Sequence, residues 1–282
     1  TMRNKITSAL TRSIDGLSKA GRVNLRSLMH KRLGILQYTN SRESGELLFV
    51  FKILPSLLSD TKTPILFDVG LNEGNYSSYL LEVFPEARLF AFEPVASNFE
   101  RARERLTNSR ALTLENKAVS DSAGHIEIYD YADRDGSSHA SPYKEAITEQ
   151  HGAEEVISYH VGCVTLDQYC AERNIDRIDF IKVDTEGHEL SVLNGAKNLI
   201  RKHQVKIVQF EFNEMNVLSK SFLRDFYILL EDFHFYRLRF DGLIPLGEYN
   251  TINEIFKFQN IVAVSSPISI NANRFAIKNI WG

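Results

Sequence analysis

The apolar positions of this chain cluster in short continuous runs separated by longer amphipathic stretches. The run Ile65-Leu66-Phe67-Asp68-Val69-Gly70 is the clearest. It reads as a parallel strand buried on both faces that enters a tight turn. The segments 88–92, 111–115, 178–183, 206–212 and 261–265 repeat the pattern. Helical spacing lies between them, over 77–84, 98–106, 189–201 and 221–231. An apolar stretch at 47–58 carries Pro55 and is expected to be a helix that ends or bends there. Strict alternation at 125–129, matched at 157–165, predicts antiparallel strands inserted into the fold. The residues around Asp241-Gly242 suggest a hairpin over 235–246. The polar stretch 133–151, with Gly136-Ser137-Ser138 and Pro142, is loop-like and long enough to serve a site. Alternating strands and helices imply an α/β fold: a mostly parallel central sheet, helices on both faces, an antiparallel C-terminal strand and the inserted β-hairpin strands. Ligands of such sheets sit beyond the carboxyl ends of the strands.

Bulk properties narrow the class. With 43% hydrophobic and 24% charged residues over 282 positions, the chain can bury a core. A net charge of −3 argues against a general nucleic-acid binder. The charge is uneven: residues 1–33 hold eight basic side chains and one acid, Asp15. Residues 1–44 therefore read as a basic helical extension, and 45–282 as the main domain. The extension either meets an anionic surface as a peripheral membrane or glycan contact, or packs on the body as a solvated helix. No stretch is apolar enough to cross a membrane. The N-terminal residues lack the apolar centre of a signal peptide. Cys163 and Cys170 fit no metal pair or disulfide framework, so a cytoplasmic protein with reduced thiols is expected. The sequence leaves the oligomeric state open.

The turn Asp68-Val69-Gly70-Leu71-Asn72-Glu73-Gly74-Asn75-Tyr76-Ser77 joins a strand to a helix. Gly70 lets the chain turn, and the N–H groups that open the helix can bind an anionic group. Asn72 stands where a dinucleotide fingerprint has glycine, so that fingerprint is incomplete. The next strand ends at Glu93, placed to take both hydroxyls of a ribose. These residues point to an adenosine ligand other than a standard dinucleotide. Further segments follow in order: Phe92-Glu93-Pro94, Asn116-Lys117-Ala118-Val119-Ser120-Asp121, and Lys182-Val183-Asp184-Thr185-Glu186-Gly187-His188-Glu189. Together they resemble the FkbM-type methyltransferase family over roughly residues 60–265, with the Lys-x-Asp-x-Glu-Gly-x-Glu segment the most specific. The resemblance implies a Rossmann-like class I methyltransferase fold, an S-adenosylmethionine cofactor, and methylation of a hydroxyl on a sugar, glycan or glycosylated metabolite. By that similarity Asp68, Gly70, Asn72, Gly74, Tyr76 and Ser77 hold the methionine end. Glu93 and Pro94 hold the ribose, and Asn116 to Ala118 flank the adenine.

Methyl transfer is an in-line displacement in which the protein mainly aligns the acceptor oxygen. A sugar hydroxyl also needs a base or a metal beside it. The candidates are Asp184, Glu186 and His188 on the turn after the fourth strand, and Glu211 at the end of the fifth. Asp184 with Glu186 or Glu211 also forms an oxygen donor set for a divalent metal. The same acids suit the positive end of a helix, a purely structural role. His139, with Ser137, Ser138 and Tyr143, reads either as a lid over the acceptor or as a plain surface loop. An NAD-dependent oxidoreductase and a non-catalytic binding module are the competing readings. Asn72 disfavours the first, and the intact acids Glu93, Asp184 and Glu186 disfavour the second.

Overall fold

A computed structural model describes residues 25–35, 40–106, 111–133, 136–150, 152–268 and 272–277. Gly74, Ser77 and every other site residue expected from the sequence lie within them; most of the basic extension, 1–24, lies outside.

The strands, in chain order, are β1 (Ile65–Val69), β2 (Arg88–Phe92), β3 (Leu112–Glu115), β4 (Ala118–Val119), β5 (Gly124–Tyr131), β6 (Val156–Val164), β7 (Phe180–Val183), β8 (Ile207–Phe212), β9 (Phe233–Arg239), β10 (Gly242–Pro245) and β11 (Gln259–Ser265). Eight of them form one sheet in the order β10-β9-β11-β8-β7-β1-β2-β3. The run from β3 to β8 is parallel, and β11 lies antiparallel between β8 and β9. The last described strand is thus threaded between two earlier ones, which sets this sheet apart from a fully parallel dinucleotide-binding one. The inserted strands form a second sheet, β4-β6-β5, in which β5 and β6 run antiparallel as their alternation predicts.

Every residue of β1 and of β8 is buried, as expected for parallel strands covered on both faces. Side chains alternate between two cores. Phe67, Val69, Ile181, Val183, Val208, Phe210 and Phe212 enter one core, with Tyr169 set edge-on to Phe92 at 4.9 Å. Leu66, Phe180 and Ile207 enter the other, against the helical run 46–57 and helix Asn75–Val83. At the carboxyl ends the second face turns polar: Asp68 pairs in register with Lys182, and Lys182 with Gln209.

Two elements differ from expectation. The run at 47–58 does not end at Pro55. It widens first into a π turn, Phe49–Ile53, where the Leu54 N–H donates to the Phe49 carbonyl five residues back, and then continues as a helix over Leu54–Leu57. Proline removes one backbone donor and crowds the preceding turn; a widened turn relieves that crowding. The helix expected over 189–201 breaks into Glu189–Asn194 and Lys197–Arg201. At the break, Gly195 lies so close to β4 that a Cβ there would meet the Ser120 carbonyl at 2.1 Å. Helix Leu25–Arg32 docks beside β9, where Arg239 Nη1 donates to the Arg32 carbonyl. No helix among the described residues is long and apolar enough to cross a membrane. Both cysteines are free and buried, and burial pushes their thiols up to about 11 for Cys163 and about 12 for Cys170.

Candidate active site

A cavity of about 390 Å³ opens at the carboxyl ends of β1, β2, β7 and β8. Of the residues singled out from the sequence, Asp68, Gly70, Asn72, Tyr76, Glu93, Pro94, Ala118, Asp184, Glu186, His188 and Glu211 line it. Gly74, Ser77 and Asn116 do not, and each supports a neighbour. Gly74 faces Leu106 and Ala102. Ser77 Oγ donates to Asp68 Oδ2 at 2.6 Å. Asn116 Nδ2 donates to the Glu93 and Pro94 carbonyls at 2.9 and 3.1 Å.

The turn after β1 is built for a close ligand. Gly70 has φ +89°, and a Cβ there would sit 1.7 Å from the Asp184 carbonyl oxygen, so only glycine lets the loops after β1 and β7 cross. Asn72 also takes a left-handed conformation. Its N–H donates to Glu93 Oε2 at 2.8 Å, while the Val95 N–H donates to Oε1 at 2.9 Å. Each oxygen of Glu93 keeps further acceptor capacity, the geometry a vicinal diol requires. Burial pushes this carboxyl up to about 7, against those two backbone bonds. Burial likewise raises Asp68 to about 6.

The cavity floor holds a charge cluster. Lys182 is 1% exposed, and its Nζ lies 2.9 Å from Asp184 Oδ2 and 3.8 Å from Glu46 Oε1. Burial opposes its charge, but Asp184, Glu211 and Glu46 outweigh that and hold the ammonium above its ordinary value. Burial pushes Glu211 well above the usual carboxylate range, and Asp184 adds to the effect. Glu46, also raised by burial, accepts from Ser44 Oγ. The Tyr76 ring lies 5.5 Å from Lys182 Nζ, and its hydroxyl donates to Gln209 Oε1. The sequence reading assigned no role to Lys182, Glu46 or Gln209. A lysine inside an apolar strand is the one signal that flags the first, since an unpaired lysine is almost never fully buried.

The divalent-metal expectation does not fit these residues. The Lys182 ammonium already supplies the positive charge between Asp184 and Glu46. Among the described residues no group of three or more His, Cys, Asp or Glu side chains is arranged to hold a metal ion.

The loop 136–142 roofs the cavity and is tied at both ends. Asp130, fully buried, accepts from the Ser137 N–H at 2.9 Å, and Asn98 Nδ2 donates to the Ser137 carbonyl. Ser141 Oγ donates to the Glu186 carbonyl at 2.8 Å. His139 Nδ1 lies 3.6 Å from Glu186 Oε1, and that carboxylate raises the imidazole above its usual value. Glu186 has φ +50°, held by a turn in which the Thr185 and Gly187 N–H groups donate to Glu189 Oε1. His188 is differently placed. Its Nε2 lies 2.8 Å from Ser120 Oγ, its Nδ1 is buried without a partner, and burial lowers its pKa.

The methyltransferase FkbM domain matches residues 68–239. The 2-O-methyltransferase NoeI of Sinorhizobium fredii is 27% identical over 180 residues, 62% of this chain and 74% of that protein. The methyltransferase sdnD of Sordaria araneosa is 29% identical over 47% of this chain and 60% of its own length. The hexuronic acid methyltransferase AglP of Haloferax volcanii is 26% identical over 51% of this chain and 55% of its own length. The match spans more than half of the chain and covers both the turn after β1 and the acidic turn after β7; the protein belongs to the FkbM methyltransferase family.

Proposed function

We propose that the protein is an S-adenosylmethionine-dependent O-methyltransferase acting on a hydroxyl of a sugar, a glycan or a glycosylated metabolite. The observation that carries the reading is Glu93, whose two oxygens are held by the Asn72 and Val95 N–H groups at the edge of the cavity, ready for a ribose diol. The names of two relatives, a 2-O-methyltransferase and a hexuronic acid methyltransferase, support a sugar acceptor.

Bound there, S-adenosylmethionine supplies an activated methyl group. Asp68, fixed by Ser77, and the crossing at Gly70 orient the amino-acid end. Pro94 and Ala118 border the adenosine end, with Asn116 holding the turn between them. The acceptor enters beneath the roof loop, between Glu186, Glu211 and His139. Alignment there supplies most of the rate. Asp184, Glu186 and Glu211 are the candidate proton acceptors. His188, with one nitrogen on Ser120 and the other buried, serves better as packing than as a base. Residues 1–44 act as an extension of the domain 45–282. The buried thiols suit a reducing compartment such as the cytoplasm.

Calorimetric titration with S-adenosylmethionine, S-adenosylhomocysteine and NAD tests the cofactor. Micromolar binding of the two sulfur compounds, weakened about 100-fold or more by Glu93→Ala, is expected, because two ribose hydrogen bonds to a charged group are lost. NAD binding with no sulfur-compound binding overturns the reading. Transfer of labelled methyl to methyl glycosides of neutral and uronic sugars, in the presence of EDTA, then tests the acceptor class.

A further inference from the structure

Four carboxyl groups share one ammonium at the cavity floor. Glu46 comes from the helical run 46–57, Asp68 from β1, Asp184 from the end of β7 and Glu211 from β8, all around Lys182. Glu211 is 8% exposed and Glu46 6%. The Tyr76 hydroxyl is committed to Gln209, and the Asn213 amide donates to Glu211 Oε2. From the roof side Glu186 adds another acid, offset by its own partner His139. Asp184 is partly exposed, but Glu46, Asp68 and Glu211 are buried, and one cation cannot neutralise all of them; unpaired buried charge is costly.

We propose that in the ligand-free protein this cluster keeps a proton, centred on the Glu211 carboxyl, and that a bound sulfonium cation displaces it. This rests on the cofactor reading above. Burial and the neighbouring Asp184 raise Glu211 well above the usual carboxylate range, in line with a group that is protonated until another cation arrives. Exchange keeps the charge of the cavity constant: a proton leaves as the sulfonium enters. A neutral thioether makes no such demand. Glu211, freed of its proton, then receives the one released when the acceptor O–H bond breaks. In that step the oxygen–methyl bond forms, and the methyl–sulfur bond returns its electron pair to sulfur. Proton and cofactor cation thus alternate on one cluster, and the turnover leaves it as it began.

The test is calorimetry of the full chain at pH 7 with S-adenosylmethionine and with S-adenosylhomocysteine. Each is titrated in phosphate and in Tris, whose ionisation heats differ. The dependence of the observed heat on buffer counts protons released. Glu93, near its own midpoint at this pH, contributes equally to both ligands because both carry the ribose. The expected result is an excess of roughly half to one proton for the sulfonium over the thioether. Its affinity should also gain on the thioether's by up to about tenfold per pH unit between pH 5.5 and 7.5. Glu211→Gln is expected to erase the excess while S-adenosylhomocysteine still binds. Equal proton counts for the two ligands overturn this proposal alone. Binding of neither overturns the cofactor reading and this proposal with it. If the variant does not fold, the wild-type difference between the ligands decides the matter.

Discussion

Replacing Lys182 by methionine keeps the length of the side chain and removes its charge. The perturbation leaves Asp184 and Glu46, at 2.9 and 3.8 Å in the parent, without a counter-charge in a site where Lys182 itself is 1% exposed. Breaking a buried ion pair from one side costs about 3–5 kcal/mol. At about 2–4 °C per kcal/mol for a domain near this size, the melting temperature falls by roughly 10 °C. The penalty depends on pH in a defined direction. Without the ammonium, the folded-state pKa values of Glu46 and Glu211 rise further above their unfolded values. The folded variant then binds more protons than the unfolded chain, so its stability relative to wild type is greatest at low pH and is lost as pH rises. Urea unfolding followed by circular dichroism at pH 5.5, 7 and 8 reads this directly. A deficit smaller than about 1 kcal/mol, or one that is flat across that range, would refute the cluster as an electrostatic unit. Adding Glu46→Gln to the variant should recover part of the loss, since it removes one of the uncompensated acids.

Other outcomes follow from the same geometry. Gly70→Ala places a Cβ 1.7 Å from the Asp184 carbonyl in a left-handed conformation; it should cost more than about 2 kcal/mol and abolish S-adenosylhomocysteine binding, read by melting and calorimetry. Ser141→Ala unties the roof from the Glu186 carbonyl, so stopped-flow should show faster ligand release with a change in melting temperature of only a few degrees. Because Glu186 raises His139, their pairing stabilises the fold at pH values below 6.5, until Glu186, itself raised by burial, takes a proton, and is lost as pH rises through the folded-state value of the histidine; Glu186→Gln should lower that value in an NMR titration. Glu93, raised to about 7, should lose ligand affinity as pH falls through that point, because its protonated form accepts fewer hydrogen bonds.

The strand runs made the parallel sheet legible, and the acid at the end of β2 with the turn after β1 made the cofactor edge legible. Asp68, Lys182, Gln209 and Glu211 share one face because side chains alternate along strands, so part of the polar floor was readable from parity alone. Glu46 was not. It lies far upstream in sequence, at the start of the helical run 46–57, whose apolar face packs on the second core. The roof was readable as a long polar segment. Its hold on the cavity depends on Asp130 and Asn98, which meet it only in the folded chain. His188, picked out because it follows the acidic turn, lines the cavity with its Nε2 on Ser120 Oγ, a contact that no sequence spacing shows.

The place of β11 between β8 and β9 bears on how the protein is made. Among the described residues, β9 and β10 reach the main sheet only through β11, the last of the described strands. On the ribosome, the hairpin they form must therefore wait, with the edge of β8 unpaired, until residue 265 has emerged. Sheets closed by such distant pairings fold slowly, and exposed strand edges invite misassembly. Synthesis stalled between residues 212 and 259 should leave a chain with its cofactor strands already made and β8 open to whatever strand it meets first.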